Sequence, residues 1–212
     1  EVETVSGKRR KISFGEAIIA TGAKVRDLPD VRINGKEIMG SEEALNLKDI
    51  PGRLLIVGGG YIGLEMAAIY QGLGSEVSIT ELTDGFMPGM DRDLVSEFNR
   101  MSKHLFKDVF LETSVKKVKK TNKNLQVTLK EKAGREFSHE YDKILVAVGE
   151  KPDHSRLGLE NTDVETDEQG FIRVDEKQRS ANEGILAIGD VTGAPLLAHR
   201  AMYQGRIAAE VA

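Results

Sequence analysis

Apolar positions along the chain fall into short unbroken runs. Leu54-Leu55-Ile56-Val57, Ile144-Leu145-Val146-Ala147-Val148 and Ile185-Leu186-Ala187-Ile188 contain no polar residue, the pattern of parallel strands covered on both faces. Val77-Ser78-Ile79-Thr80 and Val109-Phe110-Leu111 read as further strands. Elsewhere the period changes. Tyr61 to about Leu73, rich in Ala and Met and stopped by Gly72 and Gly74, predicts a helix, and Asp91 to about Phe106 predicts a second. Val115 to Tyr141 alternates and carries turn residues at Asn122, Asn124 and Gly134, which predicts an antiparallel meander. Lys8 to Ala20 predicts a hairpin closing in a buried strand, with a turn at Thr21-Gly22. Ser41 ahead of Glu42 and Glu43 predicts the N-cap of a short helix running to about Leu47. A pair of short strands is expected near Phe171-Ile172-Arg173-Val174, and a helix over Ala198 to Val211. Strands and helices in alternation define an α/β fold. Borders near Pro51 and Pro152 divide the chain into 1–50, 51–150 and 151–212, the outer pieces belonging together.

Composition removes several kinds of chemistry. The 212 residues include no Cys, so disulfide frameworks, thiolate metal sites and cysteine nucleophiles are excluded together. Four scattered histidines form no metal motif. A net charge of −4 argues against nucleic acid as partner. The Lys116–Lys120 cluster alternates with Val118 and reads as the solvated face of a strand. No apolar run approaches the roughly 18 residues that span a bilayer, so no membrane partner is expected and a cytoplasmic location is. The first residue is Glu1 rather than Met, as expected of an excised or trimmed segment.

One stretch carries specific chemistry. Gly58-Gly59-Gly60-Tyr61-Ile62-Gly63 fits G-x-G-x-x-G, with a buried strand before it and a helix after it. Gly58 permits a tight turn, Gly60 has no side chain to block a pyrophosphate, and Gly63 lets helix and sheet approach closely. The helix N-terminus then faces the phosphates with N–H groups and a partial positive charge. Glu81 ends the next strand, where a carboxylate accepts hydrogen bonds from both adenosine ribose hydroxyls and repels a 2′-phosphate. No Arg lies between Leu82 and Met90 to hold such a phosphate. The residues therefore predict an NAD site rather than an NADP site.

Further elements are bland singly but specific as a set: AIIATGAKVRDLP, LLIVGGGYIGLEMAAIYQGLGSEVSITEL, YDKILVAVGEKPD, GFIRVDEKQRS and ILAIGDVTGAPLLAHRAMYQG. In this order the chain resembles the flavoprotein disulfide reductases, the pyridine nucleotide-disulfide oxidoreductase family, along almost its whole length. The resemblance implies an NAD-binding domain of parallel sheet, helices and antiparallel meander, inserted into an FAD-binding domain that begins before it and resumes after it. It assigns Gly58 to Glu65, Glu81, Val115 and Gly149 to NAD. Tyr61 would act as a lid over the flavin face, and Glu65 would lie near the flavin N5. Ala20, Thr21 and Gly22 would run along FAD, Asp190 would hold its ribityl chain, and Leu196, Leu197, Ala198 and His199 would begin a helix facing its pyrimidine edge.

The same resemblance implies a parent enzyme larger than this chain. Its first FAD glycine loop and redox cysteine pair would precede Glu1, and a catalytic His–Glu pair would follow Ala212. No catalytic residue is then assigned within the chain, which alone is expected neither to reduce a disulfide nor to hold FAD. The implied partner is a lipoamide-bearing protein and the implied parent assembly a homodimer. NADH oxidase, CoA-disulfide reductase and mercuric reductase types stay open, as does a stand-alone nucleotide-binding module. Glu150 stands where the family usually has Arg, and Gln204 where a lipoamide-specific member often has Glu.

Overall fold

Strand Arg53–Val57 is the centre around which half the molecule is built. Successive side chains of a strand point to opposite faces. Leu54 and Ile56 enter one apolar cluster with Leu64, Ala67 and Tyr70. Leu55 and Val57 enter another with Val127, Leu129 and Ile144. Both faces are covered, which is why the run is apolar throughout. Each fully buried aliphatic side chain contributes roughly 1.5–3 kcal/mol.

The computed structural model describes residues 1–26, 28–29, 31–46, 48–102 and 104–212. It divides into two units, Glu1–Lys24 with Glu150–Ala212, and Val25–Gly149. The border expected near Pro51 thus falls inside the second unit, because strand Ile38–Met39 joins that unit's sheet.

In the unit Val25–Gly149 the sheet order is Ile38–Met39, Lys143–Val146, Arg53–Val57, Glu76–Thr80, Asp108–Phe110. Every neighbouring pair is parallel. Helices Tyr61–Gly72 and Arg92–Ser102 supply the residues packed on one face. The second helix stops short of the Phe106 expected for it. The other face is covered by an antiparallel meander of Thr113–Lys120, Leu125–Glu131 and Glu136–Tyr141. In the meander Lys116 and Lys120 are exposed and pair at 2.5 Å with Glu136 and Glu37, while Val118 packs inward. The short helix is Ser41–Leu45, and Leu47 lies outside the described residues. Its cap is Gly40 rather than Ser41. The Gly40 N–H donates to the Glu43 carboxylate at 2.8 Å, so the acid ties down the cap residue itself, and among the described residues no side-chain oxygen caps the first-turn N–H groups.

The other unit is thinner. Hairpin Val2–Glu3/Arg9–Arg10 is antiparallel, and Ala17–Ile19 pairs in parallel with Ile185–Ala187. The Ala17–Ile19 strand is not the buried one expected: with a single strand neighbour, Ile18 stays 41% exposed. The strand pair expected near Phe171 is likewise reduced to isolated bridges, Thr166 with Ile172 and Arg179 with Leu186. Ile172, Ala187 and Val191 form a small core with Ile19, Leu159, Val164 and Val174 against it. Helix Ala198–Val211 has the bounds expected. Among the described residues no helix is long and apolar enough to cross a membrane, and no group of acidic or His side chains is placed to hold a metal ion.

Candidate functional site

The glycine loop lies at the C-terminal edge of the parallel sheet, between strand Arg53–Val57 and helix Tyr61–Gly72. Gly58 has φ +111°, and a Cβ there would lie 2.3 Å from the Ala147 carbonyl oxygen. At Gly63 a Cβ would lie 2.1 Å from the Gly58 oxygen. Both positions thus exclude any side chain, as the tight turn and the close helix approach require. Gly60 is different: a Cβ there would meet nothing within 4 Å. The space in front of the helix N-terminus is open, and the first helical bond runs from Leu64 N–H to Gly60 O at 3.0 Å. An open, dipole-positive helix end of this kind fits a pyrophosphate.

Glu81 follows strand Glu76–Thr80 and is 8% exposed. Its carboxylate is turned back onto the loop. Oε2 accepts from Gly59 N–H at 2.6 Å, and Oε1 accepts from Thr83 N–H at 2.8 Å and from the Thr83 hydroxyl at 2.9 Å. A carboxylate offers about four acceptor positions. Three are used within the chain, which leaves about one position, room for one ribose hydroxyl where two are expected.

The loop beyond Glu81 braces the glycine turn from outside. Met87 N–H donates to Gly59 O at 2.9 Å, and a Cβ on Gly59 would lie 2.6 Å from Phe86 Cδ1. Arg92 donates to the carbonyls of Phe86, Met87 and Met90. The G-x-G-x-x-G pattern treats Gly59 as a variable position, so it carries no sign of this brace. Thr83 was missed for a similar reason, since a single Thr after a strand has no signature.

The remaining residues expected around NAD are spread over the same unit. Tyr61 is 46% exposed and Glu65 is exposed, while Ile62 is partly buried. Val115 is partly buried and packs into the sheet–meander cluster. Its strand begins beside Glu81, Thr113 N–H donating to Glu81 O at 2.9 Å. Gly149 follows the strand that neighbours the glycine-loop strand, has φ +92°, and accepts at its carbonyl from Arg26 N–H at 3.0 Å.

In the other unit the structure brings Ala20-Thr21-Gly22 and Gly189-Asp190 together. Ile19 is registered with Ala187, and Ile188 N–H donates to Ile19 O at 3.0 Å, so both segments leave their strands side by side. Leu197 caps helix Ala198–Val211, with Ala198 and His199 exposed in its first turn and Leu196 partly buried ahead of it. Gln204 has a role that sequence did not suggest. It is buried, its Oε1 accepts from Gly189 N–H at 2.8 Å, and its Nε2 lies 3.4 Å from the Thr192 hydroxyl. It therefore fixes the turn that carries Asp190. Burial first, and the nearby Asp190 second, push the Glu150 carboxyl above the usual carboxylate value.

Comparison with known proteins identifies the class to which these elements belong. Residues 1–205 match the model of the pyridine nucleotide-disulphide oxidoreductases. The chain belongs to that family of oxidoreductases, which uses FAD and a pyridine nucleotide.

Within the family it is similar to dihydrolipoyl dehydrogenases. Identity to that of Vibrio cholerae serotype O1 is 40% over 211 residues, covering 100% of this chain and 44% of the relative. Identity to that of Buchnera aphidicola subsp. Schizaphis graminum is 45% over 201 residues, covering 94% and 42%. The crystal structure of LpdA from Mycobacterium tuberculosis superposes with a TM-score of 0.86 at 29% identity, over 96% of this chain and 44% of that one. The HOCl-induced flavoprotein disulfide reductase RclA from Escherichia coli, solved as a Cu(II) complex, gives 0.81 at 30% identity, over 91% and 44%. The chain spans less than half the length of these relatives.

Proposed function

We propose that this chain is the NAD-binding central part of a flavoprotein of the dihydrolipoamide dehydrogenase type. The observation that carries this reading is the glycine loop with Glu81 at the C-terminal edge of a five-stranded parallel sheet. The unit Val25–Gly149 supplies the NAD-binding domain, and Glu1–Lys24 with Glu150–Ala212 supplies parts of an FAD-binding domain. In the whole enzyme the bound cofactors supply hydride chemistry between nicotinamide and flavin, coupled to a dithiol–disulfide pair. A lipoamide-bearing protein is then the partner, and a homodimer the working assembly.

The chain's own residues bind and orient. Gly58, Gly59, Gly60 and Gly63 give the pyrophosphate a side-chain-free approach to the helix end, with Ile62 in the first turn of that helix. Glu81 takes the ribose, Val115 lies near the adenine, and Gly149 lies at the nicotinamide end. Tyr61 and Glu65, both exposed on the first turns of the helix, serve as flavin-face lid and N5-side carboxylate. Ala20, Thr21 and Gly22 follow FAD, Asp190 accepts from its ribityl chain, and the start of helix Ala198–Val211 (with Leu196, Leu197, Ala198 and His199) favours negative charge on the reduced flavin. The likeness to RclA supports the broader flavoprotein disulfide reductase reading equally well; the dihydrolipoyl dehydrogenase relatives favour the narrower one.

Calorimetry with NAD⁺ tests the reading. Glu81→Ala is expected to weaken binding by roughly 1–3 kcal/mol through a ribose contact left unmade. Unchanged affinity would remove Glu81 from the ribose.

A further inference from the structure

Glu81 sits in the chain as an anion sits in a binding site. The backbone around it is pinned: Glu81 N–H donates to Phe110 O, Thr113 N–H to Glu81 O, and Glu112 N–H to Thr83 O, each at 2.9 Å. On this fixed frame three donors converge on one carboxylate, namely Gly59 N–H, Thr83 N–H and the Thr83 hydroxyl. The hydroxyl is also 2.9 Å from Gly85 O. It has one proton to place, and a hydrogen bond to an ionised acceptor is about twice as strong as one to a neutral carbonyl. The carboxylate therefore takes it.

Backbone N–H groups and a hydroxyl converging in this way are the donor set that recognises phosphate oxygens. Arg92, the first basic side chain after Glu81, is committed to three carbonyls, so the convergent donors on Glu81 are neutral ones.

We propose that Thr83 is a specificity-determining residue. Its N–H and hydroxyl, with Gly59 N–H, form a cradle for a phosphate monoester at the adenosine 2′ position, and the chain closes that cradle to NADP by seating its own Glu81 carboxylate there. This rests on the reading that Glu81 faces the ribose. Exclusion of the 2′-phosphate is then by occupancy as well as by repulsion. Removing the carboxylate frees two prearranged N–H donors, beside a hydroxyl that a phosphate oxygen, as the stronger acceptor, draws away from Gly85 O.

Calorimetry on the 212-residue chain, with NAD⁺, NADP⁺, AMP and adenosine 2′,5′-bisphosphate as probes, tests the proposal. In Glu81→Ala, NADP⁺ and the bisphosphate are expected to bind about tenfold tighter than to the unaltered chain, while AMP gains nothing. Adding Thr83→Val is expected to cancel about tenfold of that gain, and adding Thr83→Ser to preserve it. Thr83 is exposed and its replacement does not threaten the fold. Should Glu81→Ala not fold, Glu81→Ser, a small polar replacement that also vacates the space of the carboxylate, carries the same comparison. No gain for the 2′-phosphate probes, or a gain indifferent to Thr83→Val, overturns the cradle. If NAD⁺ weakens without that gain, the cradle is wrong and the ribose reading stands; if NAD⁺ binding to Glu81→Ala is unchanged, the ribose reading itself is wrong.

Discussion

Both units end a pair of parallel strands in a glycine turn, yet the two turns are held by different forces. In the unit Val25–Gly149 the turn is held by packing. Gly58 lies against Ala147 and Gly63 against Gly58, at distances that leave no room for a methyl group, and Leu54 to Val57 beneath are buried. In the other unit the turns after Ile19 and Ile188 rest on a strand with one neighbour and a small core. There the ties are side chain to backbone. Gln204 holds Gly189 N–H, Arg200 holds Gly193 O, and Arg179 reaches the carbonyls of Glu183 and Val211. Packing tolerates no substitution at the contact, whereas polar ties tolerate any residue that preserves the hydrogen bond.

The largest expected effect comes from adding one methyl group to each kind of turn. Gly58→Ala combines φ +111° with a contact at 2.3 Å to backbone. It is expected to cost about 3 kcal/mol or more, since strained φ and overpacking each cost roughly 1–3 kcal/mol. Gly22→Ala carries the same kind of φ, +69°, but meets nothing within 4 Å. It is expected to cost about 1 kcal/mol, from backbone strain alone. Denaturant melts of the two variants give the comparison directly, and equal costs would break it.

The same contrast explains what was legible in the sequence. Where two faces of a strand are covered, burial writes an unbroken apolar run, and Leu54–Val57 and Ile144–Val146 were readable as parallel strands. Where a backbone must approach another backbone, only glycine fits, so Gly58 and Gly63 announced themselves. Ala17–Ile19 is as apolar as a buried strand but lies at the edge of a two-stranded sheet, and no local pattern distinguishes the two cases. Polar ties left still less trace. Thr83 meets the Glu81 carboxylate, Arg92 the carbonyls of the loop just before it, and Gln204 the Gly189 N–H, and a lone Thr, Arg or Gln carries no signature of such a partner. Ala20-Thr21-Gly22 and Asp190 were recognisable only through family resemblance, because each is an ordinary strand end.

A middle-sized effect sharpens the polar half of the comparison. Gln204→Leu keeps the volume of a buried side chain but removes the acceptor of Gly189 N–H. Leaving that donor unpaired is expected to cost about 1–3 kcal/mol. Gln204→Glu restores an acceptor and is expected to recover most of the loss, in thermal melts of both variants. If Leu is tolerated as well as Glu, the Asp190 turn is held by something other than this hydrogen bond.

The smallest effect is one of charge, and it concerns Glu150. Its carboxyl is pushed upward from the usual 4.5, by burial first and by Asp190 second. A group with a raised folded pKa binds its proton more tightly when folded, so below the unfolded value, where both states are protonated, it contributes nothing. Stability is lost as pH rises from the unfolded value through the folded one, and above that window the loss is constant. Glu150→Gln removes the titration. Its melting temperature is therefore expected to match that of the unaltered chain near pH ~3.5 and to exceed it slightly near pH ~7, where the buried charge is otherwise present. The side chain is only partly covered, so solvent keeps the difference small. A variant that melts lower at both pH values would mean that Glu150 stabilises its surroundings through contacts that outweigh its repulsion from Asp190. That unit would then rely on one more polar tie than the comparison assigns to it.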